Sequence, residues 1–307
     1  MNQKLKTACF ITFISLFACN SDKKSKNEQL TPIKEHKVIS SKNQFNNYWY
    51  SGKAELNSYE LKQSRYGEIR DGEVILVFVT EPFSLNKQVK LDNAKEAGSD
   101  KVSVMKLNQI RRFTTGIYDY SIINTTFTPI DSRKHPHTLK LNTSIQEWCG
   151  QTFTQLNLKE NSYLVQQFSY FEADGDTETN LPVTLLEDEL MTRIRINNGQ
   201  LPEGELDLIF STIYSRFTHN KMKAAKAIIS KTTTDTTIQY NIKYLNYKRK
   251  VSIDVQKEFP YKILAWTEDD GDGQITEARL KKTINEPYWQ LKSNSDEAKR
   301  REMQLIK

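Results

Sequence analysis

Apolar and polar residues alternate along most of this chain, and that period of two constrains its fold more than any motif it carries. Successive side chains of a strand point to opposite faces, so a run such as KVSVMKL, residues 101–107, sets Val102 and Val104 on one side with Ser103 between them. The same reading applies to VILVFVTEPF, IYDYSIINTTFTPI, HTLKLNTSIQEW, QTFTQLNL and YLVQQFSYFE. After residue 200 it applies to ELDLIFSTIYSRF, KAAKAIIS, TTIQYNIKYL, KVSIDVQ, YKILAWTE and ITEARLKKTI. About a dozen strands at regular spacing predict a mainly β protein: an antiparallel curved sheet, or an open or half β-barrel, with one or two helices. No unit of about 20–50 residues repeats, which excludes a propeller or solenoid.

Two local features refine this. Asp71-Gly72, in RDGE, offers the positive φ angles of a tight hairpin. Pro182 opens PVTLLEDELMTRIRI, where Leu185, Leu186, Leu190 and Ile194 fall at helical spacing, and NNGQLP stops it. A division of the body near 180–200 is compatible with this break.

The N-terminus carries an address. Met1–Lys6 holds Lys4 and Lys6 without an acid, and TACFITFISLFA follows without a charge. A basic head and a short apolar run describe a secretory signal peptide over 1–18, too short for the roughly 20 residues of a membrane span. Leu16-Phe17-Ala18-Cys19 resembles a bacterial lipobox, which implies cleavage before Cys19 and acyl chains, palmitate among them, on that cysteine. Two chains suffice for stable anchoring. Residues 19–46 then read as the lipidated Cys and a flexible tether with a reach of roughly 28 Å. The body runs from 47 to 290, and 291–307 is a charged, fraying tail.

Without residues 1–18 the chain has 42 basic and 38 acidic residues, a mild excess that is concentrated in the tether. Basic and acidic residues alternate rather than forming a block, so nucleic acid is not an expected partner. Of the cysteines Cys9, Cys19 and Cys149, the last is the one free to act in the body, and no internal disulfide is expected.

Candidate chemistry is sparse. Cys149 in SIQEWCGQTF is the candidate nucleophile, with Glu147 and His137 as conceivable assistants, although a lone Cys on a strand is more often a small core residue. His135 and His137 flank Pro136 without a fixed third ligand. Asp270 and Asp272, in TEDDGDGQITEARL, echo a calcium loop, but Arg279 stands where calcium needs a bidentate Glu. No cofactor is expected, and Walker, dinucleotide-binding, zinc-protease and hydrolase-elbow signatures are missing. Tyr48, Trp49 and Tyr50 read as a strand with rings on both faces; with Trp148 and Trp266 they are the ligand-binding candidates, against core packing as the plain alternative.

The runs YWYSGKAELNSYELKQSRYGEIRDGE, SIQEWCGQTFTQLN, SYFEADGD and EFPYKILAW resemble a family of uncharacterised Bacteroidetes lipoproteins over about residues 46–290. Its members often carry the label "septum formation inhibitor Maf". True Maf proteins resemble α/β nucleotide pyrophosphatases with an early S-x-S-x-R-R motif, which this sequence does not contain, so the resemblance brings no catalytic residues. The strand-rich ending also resembles periplasmic half-barrel proteins that hold a lipid chain against a curved sheet.

These readings predict an envelope lipoprotein, held at the outer membrane on its periplasmic or surface face. It is expected to be non-catalytic and to bind an apolar ligand such as lipid, or an envelope protein. A hydrolase or transferase using Cys149, or a glycan-binding protein, are the alternatives.

Overall fold

A computed structural model describes residues 42–305. The signal segment, Cys19 and the tether up to residue 41 lie outside the described residues. From Asn43 onward the chain is one compact unit.

The alternating segments become fifteen strands of one sheet. The first half supplies β1 (Ala54–Arg65), β2 (Glu68–Ser84), β3 (Lys101–Thr115), β4 (Tyr118–Pro129), β5 (Lys140–Glu147), β6 (Gly150–Leu158), β7 (Ser162–Ser169) and β8 (Thr177–Pro182). The second supplies β9 (Leu185–Leu186), β10 (Gly204–Ile209), β11 (Ala224–Thr233), β12 (Thr237–Tyr244), β13 (Lys250–Gln256), β14 (Ile263–Asp269) and β15 (Ile275–Glu286). Each strand from β1 to β7 pairs antiparallel with the next, β1 also pairs antiparallel with β15, and the meander continues back to β10. Only the short β9 is parallel to its neighbour, β10.

The order places β8 at one edge of the sheet and β9 at the other, although two residues, Val183 and Thr184, separate them in sequence. Three chain steps from Pro182 to Leu185 reach at most about 11 Å. The sheet must therefore curl until its edges approach, giving an almost closed shell whose edges do not pair.

A shell this wide needs filling. α2 (Leu190–Ile196) and α3 (Thr212–Thr218) lie on its concave side. Leu190, Ile194 and Ile196 join one core with Tyr59, Leu76 and Ile122 from the first half of the sheet and Tyr240, Ile253 and Trp266 from the second. Helix α1, residues 42–49, and α4 (Ala298–Glu302) complete the four helices among the described residues. After α4, Met303 is buried on the convex face with Leu56, Val79 and Ile284, and Ser58 Oγ donates to the Met303 carbonyl, so this part of the expected fraying tail is docked.

Four local expectations differ from the structure. Leu185 and Leu186 form β9, and the helix starts only at Leu190. The β1–β2 hairpin turns at Tyr66-Gly67, both at positive φ, and not at Asp71-Gly72. Gly72 lies inside β2 because a Cβ there would stand 2.3 Å from the Arg112 carbonyl oxygen. Tyr48 and Trp49 are helical, so with Phe45 they share one face instead of alternating. The segment STIYSRF is helix α3, started by Ser211, whose hydroxyl accepts from the Ile213 N–H at 3.2 Å.

Antiparallel order also sorts the connections between two ends. The chain enters β1 at one end. The opposite end gathers the tips at 66–67, 116–117, 148–149, 170–176, 245–249 and 270–274, together with α3. Each of these tips carries or adjoins an exposed large apolar residue: Tyr66, Ile117, Trp148, Tyr170, Leu245 or Ile275.

Candidate functional site

Register builds the site. On the convex face of β5, β6 and β7, Ser144 pairs with Phe153 and Phe153 with Phe168, so one row presents a hydroxyl and two rings. One step toward the tip, Gln146 stands directly opposite Gln151. The β5–β6 hairpin closes with only Trp148 and Cys149, and Tyr170 follows β7. Together these residues line an open groove of about 690 Å³. That lies within the usual size of small-molecule sites.

The groove is built rather than incidental. Trp148 is 68% exposed and Tyr170 74%. Tyr170 is held edge-on to Phe171, with centroids 5.6 Å apart, and Phe171 carries the Arg216 guanidinium at 4.4 Å. Asp176, also in the lining, accepts from the Ser169 N–H at 3.0 Å and so fixes the end of β7. The side chains of Ser144, Gln146 and Gln151 have no hydrogen-bond partner among the described residues, and they stand beside an open space.

Cys149 is exposed in this groove. Its backbone N–H donates to Glu147 Oε2 at 2.8 Å. Hydrogen bonding to Glu147 and the negative charge of that residue both push the thiol pKa up. A nucleophilic cysteine needs the reverse, a cationic neighbour that holds the thiolate. No histidine bonds to Cys149 among the described residues; His219 instead faces Asp174 at 3.1 Å. His137 lies at the other end of the shell, beside Glu189 and Arg193, and burial lowers its pKa.

The remaining candidates are scattered. Trp49 and Trp266 are buried residues of the main apolar core, against Phe78 and Tyr59 respectively. Tyr48 donates to Glu55, and Tyr50 meets Ser103 Oγ at 2.9 Å near the chain's entry. Asp270 pairs with Arg249, while Asp272 accepts from the Gln274 N–H at 2.9 Å and from Ser64 Oγ at 2.8 Å. These carboxylates serve a cation and a turn. No three metal-ligating side chains converge among the described residues.

Ion pairs are embedded in the apolar interior. Glu187 accepts from Arg249 and from Tyr244 Oη at 2.8 Å. Glu268 binds Arg111 Nη2 at 2.6 Å and Trp266 Nε1 at 3.0 Å. Burial opposes the charge on Glu268, yet Arg111 and Arg249 hold its pKa down to about 2. Asp188 receives the Thr212 N–H at 2.9 Å, but burial and the neighbouring Glu187 push its pKa up to about 6. The cavity beside this cluster measures about 40 Å³. That is room for water only.

Sequence reasoning singled out Trp148 but missed Phe153, Phe168, Tyr170 and the two glutamines. A usable sign was present. Between residues 141 and 182 the one cation is Lys159, against Glu147, Glu160, Glu172, Asp174, Asp176 and Glu178. In the same stretch, Phe153 and Phe168 occupy the polar phase of their strands.

Comparison of the chain with protein-family models, with curated proteins and with solved structures gives no match. No helix among the described residues is long and apolar enough to cross a membrane.

Proposed function

We propose that this chain is a lipid-anchored, non-catalytic envelope protein that binds its ligand in the groove around Trp148. The observation that carries the reading is the pair of exposed rings, Trp148 and Tyr170, beside unpartnered Gln146 and Gln151 in a groove of about 690 Å³. Exposed aromatic surface of this kind marks an interaction site more often than a plain surface.

Among the described residues, α2, α3 and buried ion pairs pack against the concave side, and the cavity of about 40 Å³ beside Glu187 and Arg249 is too small for an acyl chain. The raised thiol of Cys149 argues against a nucleophile in the groove. The site lies at the end of the shell away from the chain's entry into β1.

Two measurements test the proposal. Growth with labelled palmitate should mark the wild type and not a Cys19→Ser variant; equal labelling removes the anchor. A photo-crosslinking benzoylphenylalanine in place of Phe168 should capture a ligand in cells, and Trp148→Ala should abolish the capture. Capture that survives Trp148→Ala removes the groove.

A further inference from the structure

Resting on the groove as the binding site, the geometry points to its ligand: we propose a neutral or N-acetylated saccharide chain. Phe153 and Phe168, directly paired in register, put two aromatic side chains on the floor of the groove, and Trp148 and Tyr170 line its tip end. A pyranose ring has an apolar C–H face and an edge of hydroxyls. The face stacks on an aromatic ring, and the edge needs donors and acceptors at the same height.

Gln146 and Gln151 supply both. Each amide has an acceptor oxygen and a donor nitrogen, and neither is engaged by the protein. Ser144 adds a hydroxyl in the row of the two rings. From Ser144 to the tip at Trp148 the groove runs about 13 Å along the strand, longer than one hexose ring.

Charge narrows the class further. The stretch 141–182, which forms this quarter of the shell, has Lys159 as its one cation against six carboxylates, with Glu147 and Asp176 in the lining itself. A uronate polymer, a phosphorylated glycan or a lipid headgroup would meet Glu147 and Asp176 in a lining that holds no Lys or Arg, the neighbouring Arg216 being paired with Asp174. A neutral or acetamido sugar meets amides, hydroxyls and rings.

The test uses the full chain, purified in detergent, with cellotetraose, maltotetraose, N-acetylchitotetraose and tetragalacturonate as probes in titration calorimetry. At least one neutral or N-acetylated tetramer should bind saturably, and tetragalacturonate should not. Trp148→Ala and Phe168→Ala should each weaken binding about tenfold or more, which corresponds to about 1.4 kcal/mol. The double variant Gln146→Ala/Gln151→Ala should do the same. Since Trp148, Gln146 and Gln151 are exposed, their thermal midpoints should stay at the wild-type value, which separates lost binding from lost folding.

No binding of any neutral tetramer up to about 10 mM, weaker than any useful site, overturns the saccharide. Preference for tetragalacturonate, or affinity unmoved by Trp148→Ala, overturns it too. If the crosslink from position 168 still depends on Trp148 while every sugar fails, the groove stands as a protein-binding site and the saccharide alone falls.

Discussion

Gly150 lies under the ring of Tyr170: a Cβ added to the glycine would stand 2.5 Å from Tyr170 Cδ1 and 3.2 Å from its Cβ. The approach includes the root of the side chain, so a rotamer change at the ring's far end cannot relieve it. Gly150 has no positive φ to explain its presence, which leaves the aromatic ring as the reason for it. Gly150→Ala should displace Tyr170 and weaken ligand binding about tenfold. In a Tyr170→Ala background the same substitution should be silent. A double-mutant cycle measures this, and additive effects would contradict the contact.

Gly72 makes a different demand. Its missing Cβ would meet the Arg112 carbonyl oxygen at 2.3 Å and Phe113 Cβ at 2.8 Å, within the longest ladder of the sheet. Gly72→Ala should cost about 3 kcal/mol, at the upper end of overpacking, because backbone must move. Gly67, at φ +75° with open space around it, should lose only about 1–2 kcal/mol on the same change. Urea unfolding of the two variants checks the order.

Period-two patterning made the strands legible because it is local: each apolar face announces itself within six or seven residues. What stayed hidden was non-local or internal. Phe153 becomes part of a floor only when register sets it opposite Phe168. Arg193 and Arg195 fall where α2 should meet solvent, but a helix inside a shell has no solvent face, and both are buried against Glu189 and Glu55. The β-branched and aromatic Thr212, Ile213 and Tyr214 read as strand, yet the Ser211 cap and Asp188, which accepts from Thr212 N–H and Oγ1, make them a helix. Asp71-Gly72 has the composition of a tight turn, and only the close approach of β3 explains why Gly72 sits in a strand while the chain turns at Tyr66-Gly67.

The pair that ties α2 to the shell is the next test. Arg195 Nη2 meets Glu55 Oε2 at 2.6 Å, both side chains fully buried, and the guanidinium lies 4.9 Å from the Trp49 ring and 4.6 Å from that of Phe78. Burial opposes the charge on Glu55, but Arg195, Tyr48 and Asn57 hold its pKa below the usual carboxylate range. Arg195→Met leaves that carboxylate uncompensated and should cost about 3–5 kcal/mol. Adding Glu55→Gln should recover part of the loss, as measured by urea unfolding.

Stability should be higher in mildly acid than in neutral solution. Glu268 titrates at about 2 in the fold against an ordinary 4.5, so its contribution is complete above 4.5 and is lost as pH falls toward 2. Asp188 has the opposite sign: raised from 3.8 to about 6, it contributes fully below 3.8 and loses that contribution as pH rises through 6. The urea midpoint should therefore be higher near about pH 5.5 than near about 7.5. Asp188→Asn should reduce the difference between the two. A wild-type midpoint that rises steadily from 5.5 to 7.5 would contradict the assignment.

Cys149 provides the test of chemistry in the groove. Its thiol is fully accessible, so its alkylation rate reports its thiolate fraction directly. With Glu147 pushing the pKa up, iodoacetamide should react slowly at neutral pH, and the pH–rate midpoint should lie above that of a free cysteine. Glu147→Gln removes the charge and should move the midpoint down, with faster labelling at neutral pH. Peptide mapping by mass spectrometry assigns the label to Cys149. A midpoint below that of free cysteine in the wild type would mean an activating cation at the thiol, and would return the groove to the class of catalytic sites.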